Sequence, residues 1–340
     1  MWENALRVLE DLGAYHAVTD GSEPIRHIRS VDERGRLVQD DELPPQVRLY
    51  ATRRQHLHRT LYQAAIDAGA EIVTGSRVTG ATPDGEIRLA SGETVRCDLV
   101  VGADGVRSEV RESLGLTRRI TPFRDGCDRH LIPRLPDDPV SRMAEHWQAG
   151  RRVGIAPVSA DELYVYMCTR VSDTSGRSTT IDHASWSASF PQLKAVVERL
   201  PAEGRWASFT DVRCTRWSRG RAVVVGDAAH AMSPNLGQGA CSAMANGHSL
   251  AYALRDTSDV ETALARWEDV QRPTTDSVQR YSRVIGDIAS GCPRFLTDLR
   301  SLAFSTIGRS AWWLERTSRA ARRVSPLVQP AVADPRRSQR

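Results

Sequence analysis

Several features that mark other classes of protein are missing from this 340-residue sequence. No run of about 18 apolar residues occurs, which argues against a transmembrane helix and stable membrane insertion. The N-terminus lacks a basic stretch followed by an apolar stretch and a small-residue cleavage site, so no secretory signal is predicted. The six cysteines are scattered without a CxxC pair. This spacing predicts neither a metal site nor a disulfide framework, and it indicates a reducing, cytoplasmic location.

Lysine is almost absent as well. Lys194 is the only lysine, so arginine supplies nearly all of the positive charge in a chain of net charge +4. The arginines are spread along the sequence except in the C-terminal tail, a bias that a GC-rich genome would produce. Because a nucleic-acid-binding protein concentrates its basic residues in a patch, no nucleic-acid partner is predicted.

The sequence does contain two stretches typical of parallel strands buried on both faces. One is "CDLVVGADG" and the other is "RAVVVGDAAH", and each is a continuous apolar run that ends at glycine. Between them, residues 118–215 lose helical periodicity and show short strand-like runs, which predicts a separate, mostly antiparallel sheet. Helical periodicity returns after the second run, with Pro273 expected to break or kink a helix.

The strongest signal is "VVVGDAAHAMSPNLGQG". A buried strand brings Asp227 to the carboxyl end of a sheet, which is where open α/β sheets bind ligands. A loop with Pro234, Gly237 and Gly239 follows, and then a helix that starts with small residues. Small residues let a ligand approach the backbone, and the helix N-terminus offers unpaired N–H groups. The motif predicts a site for a flat, electron-rich, partly anionic ligand.

These stretches resemble a known family. "GDAAHAMSPNLGQG" and "DLVVGADGVRSEVR" are similar to the GD and DG motifs of FAD-dependent monooxygenases of the p-hydroxybenzoate hydroxylase type. "RRQHLHRTL" is similar to the family's Arg-x-x-Leu helix, and the resemblance extends over about residues 1 to 290. It implies an α/β fold with a Rossmann-like FAD-binding domain, an inserted substrate-binding sheet and a C-terminal helical region.

The resemblance also implies roles for individual residues. Asp227 would bind the ribityl chain of FAD, Arg54 the linker, and Val78 would meet the adenine. Asp104 and Gly105 would lie near the diphosphate and NAD(P)H, although Asp104 has the alternative of only stabilising its loop. The remaining cofactor residues, Pro234, Gly237 and Gly239, would pass beside the flavin ring. His230 is interpreted as structural, and no catalytic residue is assigned.

One family feature has no counterpart. No GxGxxG sequence occurs, and "MWENALRVLEDLG" resembles a segment that follows the first βαβ unit in the family. We therefore expect an N-terminally truncated FAD-binding domain. A misassigned start, a segment supplied by another chain and a gene remnant remain open as explanations, and a chain without this segment is expected to bind FAD poorly.

The implied activity is hydroxylation of a small aromatic or otherwise electron-rich substrate with NAD(P)H and O₂, through a flavin hydroperoxide. Candidate substrate contacts are Tyr164, Tyr166, His130 and Arg213. Alternatives are a non-catalytic remnant or subunit, or another flavin oxidoreductase of the same fold. The predicted FAD-binding domain comprises 1–20, 51–117 and 216–290, and the substrate sheet comprises 21–50 and 118–215. A helical region over 291–320 and a disordered tail over 321–340 complete the predicted organisation.

Overall fold

The strands of the protein form three sheets in a computed structural model that describes residues 1–255, 257–307 and 310–328. The strands are β1 (His27–Val31), β2 (Leu37–Glu42), β3 (Val78–Ala81), β4 (Glu86–Leu89), β5 (Thr94–Arg96), β6 (Val100–Gly102), β7 (Thr117–Pro133), β8 (Arg142–Gln148), β9 (Arg151–Pro157), β10 (Glu162–Arg170), β11 (Ala207–Cys214), β12 (Ser218–Arg219) and β13 (Ala222–Val224).

Helices cover and connect these sheets. They are α1 (Glu3–Asp11), α2 (Tyr15–Thr19), α3 (Arg54–Asp67), α4 (Glu109–Ser113), α5 (His183–Ser189), α6 (Lys194–Val197), α7 (Asp227–His230), α8 (Gly239–Arg255), α9 (Val260–Gly291), α10 (Thr297–Ile307) and α11 (Ala311–Arg322). Short 3₁₀ turns lie at Pro191–Leu193, Pro234–Leu236 and Arg294–Leu296. None of the helices among the described residues is both long and apolar enough to cross a membrane.

The largest sheet has the strand order β11-β7-β10-β9-β8-β1-β2. Its strands pair in antiparallel fashion except for β1 and β8, which are parallel. The mostly antiparallel sheet that the sequence predicts between the two buried runs is thereby confirmed. The β1–β2 hairpin, from the N-terminal part of the chain, forms one end of the sheet.

The two faces of this sheet have opposite character, as the alternation along β10 shows. Leu163, Val165 and Met167 point into an apolar core that α5 and α6 cover. Tyr164 and Tyr166 point to the other face, because successive side chains of a strand alternate. One face is therefore structural, and the other is free to line a site.

A two-residue turn sets the register between β8 and β9. Gln148 pairs with Arg151, so that Ala149 and Gly150 form the whole connection. Both turn residues have positive φ, 38° and 98°, as required by the tight turns that best match strand twist. The turn thereby decides which β9 side chains face which side of the sheet.

A second, smaller sheet has the order β12-β13-β6, and its two longer strands, β6 and β13, are parallel. Ala222, Val223 and Val224 are fully buried in its core, together with Trp217 and Trp267. The two apolar runs are thus neighbouring parallel strands, but β6 is not buried on both faces as predicted, because Val101 is 46 % exposed.

For "EIVTGSRVTGATPDGEIRLASGETVRCDLVVGADG", between α3 and β6, the sequence predicts three strands with hairpin turns at "PDG" and "SGE", and the structure agrees only in part. The hairpin turns predicted at "PDG" and "SGE" join β3, β4 and β5 in a third sheet. The predicted first strand, however, starts only at Val78, and residues 71–77 form no strand. Their side chains are exposed, so the apolar pair Ile72 and Val73 lacks the burial that stabilises a strand.

The C-terminal part also departs from the prediction in two places. Helix α9 runs through Pro273 without a break, so of the expected break or kink the break is absent. The predicted disordered tail begins too early, because Ala321 and Leu327 are buried, Leu327 within the core of the smaller sheet. Residues 329–340 of that predicted tail lie outside the described residues.

Candidate active site

Two acidic residues follow the parallel strands of the smaller sheet at the same edge. Val224 pairs with Gly102, and Asp227 and Asp104 come three and two residues later. Asp227 begins the short helix α7 after Gly226, which has a φ of 60° that favours glycine. The order of the motifs along the chain therefore brings both carboxylates to the edge at which α/β sheets bind ligands.

Asp227 lies within electrostatic reach of Arg54, a residue 173 positions earlier at the start of α3. Although the Asp227 side chain is exposed in its cleft, the surrounding protein displaces water and raises the pKa of the carboxyl, while the charge of Arg54 opposes the rise. The Arg54 side chain is exposed as well. A cation and an anion thus face one cleft and remain accessible to a ligand.

The loop between α7 and α8, residues 231–238, follows Asp227 along the chain and exposes part of its backbone. Pro234–Leu236 form a 3₁₀ turn, and Gly237 ends it in the left-handed conformation with a φ of 61°. Helix α8, 17 residues long, begins at Gly239. The first N–H groups of such a helix have no partner within it, so this end attracts electron-rich groups.

Helix α9 holds the loop in place. The amide of Asn235 donates to the Ser282 carbonyl at 3.0 Å and to the Ser233 hydroxyl at 3.0 Å. A side chain at position 286 would collide with that amide, so Gly286 is required for the close approach. Gln238 donates to the Thr317 carbonyl at 3.0 Å, while its buried Oε1 has no hydrogen-bond partner.

His230 lies behind this loop and is 2 % exposed. Burial lowers the pKa of its imidazole to about 4, so the ring is neutral at physiological pH. Its Nε2 lies 3.0 Å from the Asn246 side-chain amide, and its ring packs against Trp217. These contacts agree with a structural role.

The other predicted cofactor residues lie around the smaller sheet. Asp104 accepts a hydrogen bond from the Val110 N–H at 3.2 Å and so supports the start of α4. Gly105 has a φ of 80° beside it. Val78 begins β3 and packs against the core of the smaller sheet. Asp104 thus stabilises its loop while its side chain stays exposed.

A cavity of about 910 Å³ separates the 231–238 loop from the large sheet. Pro234 to Gln238 line one side, and cavity-facing side chains of β7 to β10 line the opposite side. Its size is at the upper end of the range for small-molecule pockets, which is roughly 300–1,000 Å³.

The sheet side of the cavity carries a buried cation with free donors. Arg152, on β9, is 3 % exposed and lies 3.6 Å from both Glu145 and Asp125. Its Nε and Nη2 have no hydrogen-bond partner. Burial raises the pKa of Asp125, and the charge of Arg152 opposes the rise. A guanidinium held between carboxylates, yet with free N–H groups, is suited to bind an anionic oxygen.

Two tyrosines and a second arginine complete this polar wall. Tyr166 donates to Glu145 Oε2 at 2.5 Å, and its ring lies over Gly154, where a side chain would collide with it. Burial and the charge of Glu145 raise the pKa of Tyr166 far above its usual range, and burial raises that of Tyr164 to about 12. Both phenols therefore remain proton donors at neutral pH, and Arg129 hydrogen-bonds Tyr164.

An apolar arm extends from the polar wall toward the β1–β2 hairpin and α10. Ile28, Val38 and Trp147 line it, and Phe304 packs edge-on against Trp147 with ring centroids 5.3 Å apart. The cavity thus offers a charged end and an apolar end to the same ligand.

Two of the four substrate contacts predicted from the sequence line this cavity. These are Tyr164 and Tyr166. His130 points to the opposite side of β7 toward Asp128, at 3.3 Å, and the side chain of Arg213 pairs with Asp211 at 3.1 Å outside the cavity. Arg152, Arg129 and Glu145 were not predicted, because the alternation along β9, β7 and β8 does not by itself show which face of the sheet lines the cavity.

Comparisons with known proteins support this geometry. A family model described as an FAD binding domain matches residues 3–265. The 2-heptyl-3-hydroxy-4(1H)-quinolone synthase of Mycobacteroides abscessus is 35 % identical over 299 residues, which cover 85 % of this chain and 80 % of that protein.

Two solved structures are similar over most of the chain. The tetrameric form of 2-methyl-3-hydroxypyridine-5-carboxylic acid oxygenase is 33 % identical, with a TM-score of 0.81 over 97 % of this chain and 88 % of the other. Klebsiella pneumoniae HpxO, solved with FAD and uric acid, is 22 % identical, with a TM-score of 0.80 over 96 % and 88 %, and supports the fold alone.

Proposed function

Because the chain belongs to the FAD-dependent monooxygenases of the group A flavoprotein hydroxylase type, we propose that it hydroxylates a planar heteroaromatic compound with an anionic or strongly polarised oxygen and an apolar substituent. The observation that carries the proposal is Arg152, a buried guanidinium whose Nε and Nη2 make no hydrogen bond in a cavity that also has an apolar arm. Leaving charged donors without a partner in the interior is costly, and an anionic ligand oxygen removes that cost.

The residues present fit FAD. The charged side chains of Arg54 and Asp227 are accessible to a ligand. Gly237 adds no side chain to the loop backbone, and the buried Oε1 of Gln238 has no hydrogen-bond partner. We propose that Asp227 accepts hydrogen bonds from the ribityl hydroxyls and that Arg54 contacts the linker. Pro234, Gly237 and Gly239 would border the flavin ring, Val78 the adenine, and Asp104 and Gly105 the diphosphate. FAD would supply the activation of O₂, with NAD(P)H proposed as the reductant.

The remaining steps belong to side chains of the large sheet. Arg152 orients the substrate by its oxygen and stabilises negative charge there as the ring becomes electron-rich. Glu145 and Asp125 fix the guanidinium, and Tyr166 in turn holds Glu145 by donating its only O–H to it. The protonated phenol of Tyr164 donates a hydrogen bond to the substrate without taking up its proton. The apolar arm receives the substituent and excludes water from the reacting carbon.

The proposal assigns different parts of the chain to FAD and to the substrate. Residues 1–20, 51–117 and 216–290 would bind FAD, while 21–50 and 118–215 would bind the substrate. The name of the M. abscessus relative, 2-heptyl-3-hydroxy-4(1H)-quinolone synthase, supports a substrate with one ring system and one alkyl chain. A charged end and an apolar end in the same cavity match such a molecule.

A substrate panel tests the proposal. FAD-loaded protein is supplied with NADH or NADPH and with 2-heptyl-4(1H)-quinolone, unsubstituted 4-quinolone, 2-methyl-3-hydroxypyridine-5-carboxylate or urate. We expect substrate-dependent NAD(P)H oxidation and incorporation of one oxygen atom from ¹⁸O₂, fastest with the alkylated quinolone. Turnover of only the small hydrophilic acids would contradict the role of the apolar arm.

A further inference from the structure

Two cysteines, Cys127 and Cys168, lie opposite each other on the cavity wall, and the proposed hydroxylation uses neither of them. We propose that Cys127 and Cys168 are a site of reversible disulfide formation, with hydrogen peroxide as the oxidant. Cys127 lies on β7 and Cys168 on β10, both are buried, and both line the cavity. Each is a free thiol.

The register places the two residues directly opposite each other. Cys168 pairs with Cys127 in the antiparallel β7–β10 ladder. On one side, three pairs from the cysteines, the Val171 N–H donates to the Arg124 carbonyl. On the other side, seven pairs away, the Arg134 N–H donates to the Asp161 carbonyl. Both are therefore hydrogen-bonded pairs of the ladder.

Since hydrogen-bonded and non-hydrogen-bonded pairs alternate, the cysteines occupy a non-hydrogen-bonded pair. Such pairs have Cα atoms about 4.5 Å apart, which lies inside the 4.4–6.8 Å range usual for disulfides.

The side chains are in contact as well as opposed. Both belong to one buried cluster with Phe209, and the Cys127 thiol donates to the Asp128 carbonyl at 3.0 Å. Arg152 is the β9 residue directly opposite Cys168, so its charge favours the Cys168 thiolate, while burial raises the pKa of Cys127 well above its usual value. Cys168 is therefore the thiol that ionises first and attacks, and Cys127 is the one that resolves.

The chemistry balances with one molecule of peroxide. The Cys168 thiolate attacks one peroxide oxygen, the O–O bond breaks, and hydroxide leaves, so that Cys168 becomes a sulfenic acid. Cys127 sulfur then attacks the Cys168 sulfur, the S–O bond breaks, and the oxygen leaves as water with the Cys127 proton. Two thiols lose two electrons and two protons, and peroxide is reduced to two waters. A monooxygenase that handles O₂ in this cavity exposes the pair to that oxidant whenever reduced oxygen escapes as peroxide.

Thiol counting on the FAD-loaded protein tests the site without any substrate. Protein is treated with equimolar hydrogen peroxide, quenched in acid, unfolded and alkylated. We expect the alkylatable thiols to fall from six to four, the intact mass to fall by two hydrogen atoms, and a peptide linking Cys127 to Cys168 in non-reducing digests. Dithiothreitol should restore all six.

Variants separate the attacking thiol from the resolving one. Cys127→Ser should stop at a sulfenic acid on Cys168 that dimedone traps, and Cys168→Ser should give neither product. Cys214→Ser is the matched control, because this buried thiol donates to the Ala229 carbonyl at 3.3 Å, and the variant should still form the disulfide between Cys127 and Cys168. Oxidation that falls on Cys97 or Cys292 while Cys127 and Cys168 stay alkylatable would overturn the proposal. Because no turnover is required, that result is independent of the proposed hydroxylation.

Discussion

The two sides of the cavity use different parts of the polypeptide. The 231–238 loop presents backbone, shaped by Gly237 and held from behind by Asn235 and α9. The large sheet presents side chains, with a buried charge at Arg152 and an apolar arm beside it. A backbone surface suits a ligand that is the same in every turnover, whereas a side-chain surface can be changed one residue at a time. The difference indicates that cofactor and substrate affinity can be altered separately.

Replacing Arg152 is expected to have the largest effect, and it tests most directly whether substrate affinity can change without a change in cofactor affinity. Loss of two charge-assisted hydrogen bonds, each worth about 1.5–3 kcal/mol, predicts that Arg152→Met lowers kcat/KM for the proposed oxygen-bearing substrate at least about a hundredfold. FAD affinity should stay unchanged in the same protein. Steady-state kinetics and flavin fluorescence titration measure the two quantities.

Two further variants control for damage to the fold. Arg152→Lys keeps the charge beside Glu145 and Asp125 and should recover part of the lost activity. Arg213→Met, on β11 outside the cavity, should leave kcat/KM unchanged. Equal losses in FAD and substrate affinity for Arg152→Met would show that the two walls are not independent.

Lowering the pH should reduce the free energy of unfolding through His230, which lies behind the 231–238 loop. Its folded-state pKa of about 4 lies below the unfolded value of about 6.5, so the unfolded chain binds the proton first. The stabilisation due to neutral His230 is present above pH 6.5 and is lost as the pH falls toward 4, by at most about 3 kcal/mol. His230→Gln should remove this part of the pH dependence, as measured by urea unfolding at pH 7 and pH 5. Identical pH slopes in the two proteins would show that His230 is not responsible.

Asp227→Ala should act on the cofactor alone. Removing a charged acceptor for flavin hydroxyls costs about 1.5–3 kcal/mol, which predicts a roughly tenfold or greater loss in FAD affinity. The ratio of kcat/KM between alkylated and unsubstituted quinolone should not change at saturating FAD. Asp98→Ala, an exposed aspartate before β6, is the control with unchanged affinity. Unaltered FAD binding by Asp227→Ala would remove this carboxylate from the proposed site.

The smallest expected effect comes from the loop backbone itself. Gly237→Ala forces an alanine into the left-handed region at a cost of about 1–2 kcal/mol. Gly247→Ala is the matched control, since Gly247 lies within α8 with open space around it and should gain about 0.5–1 kcal/mol. Opposite signs in thermal unfolding are expected. A higher melting temperature for Gly237→Ala would mean that the loop can leave the left-handed conformation without a cost in stability.

Sequence and structure agree best where a motif acts through local backbone. Asp104 and Asp227 could be placed at one sheet edge because each follows an apolar parallel strand directly. Arg152 could not be found in this way. Arg151 and Arg152 are adjacent, and only the pairing of β9 with its neighbours decides that Arg151 stacks over Trp186 and pairs with Asp173 while Arg152 enters the cavity. The same limit explains the misplaced expectations for His130 and Arg213, whose facing depends on the pairing of β7 with β10 and β11.

The turn at Ala149 and Gly150 has a consequence for how this cavity can change over evolutionary time. An insertion or deletion of one residue in that turn would shift β9 by one position and exchange the roles of Arg151 and Arg152. Every cavity-facing residue of the strand would be replaced at once by one from the structural face. New substrate preferences in this scaffold can therefore arise by point substitution along β9, whereas length variation is confined to connections that do not set strand register.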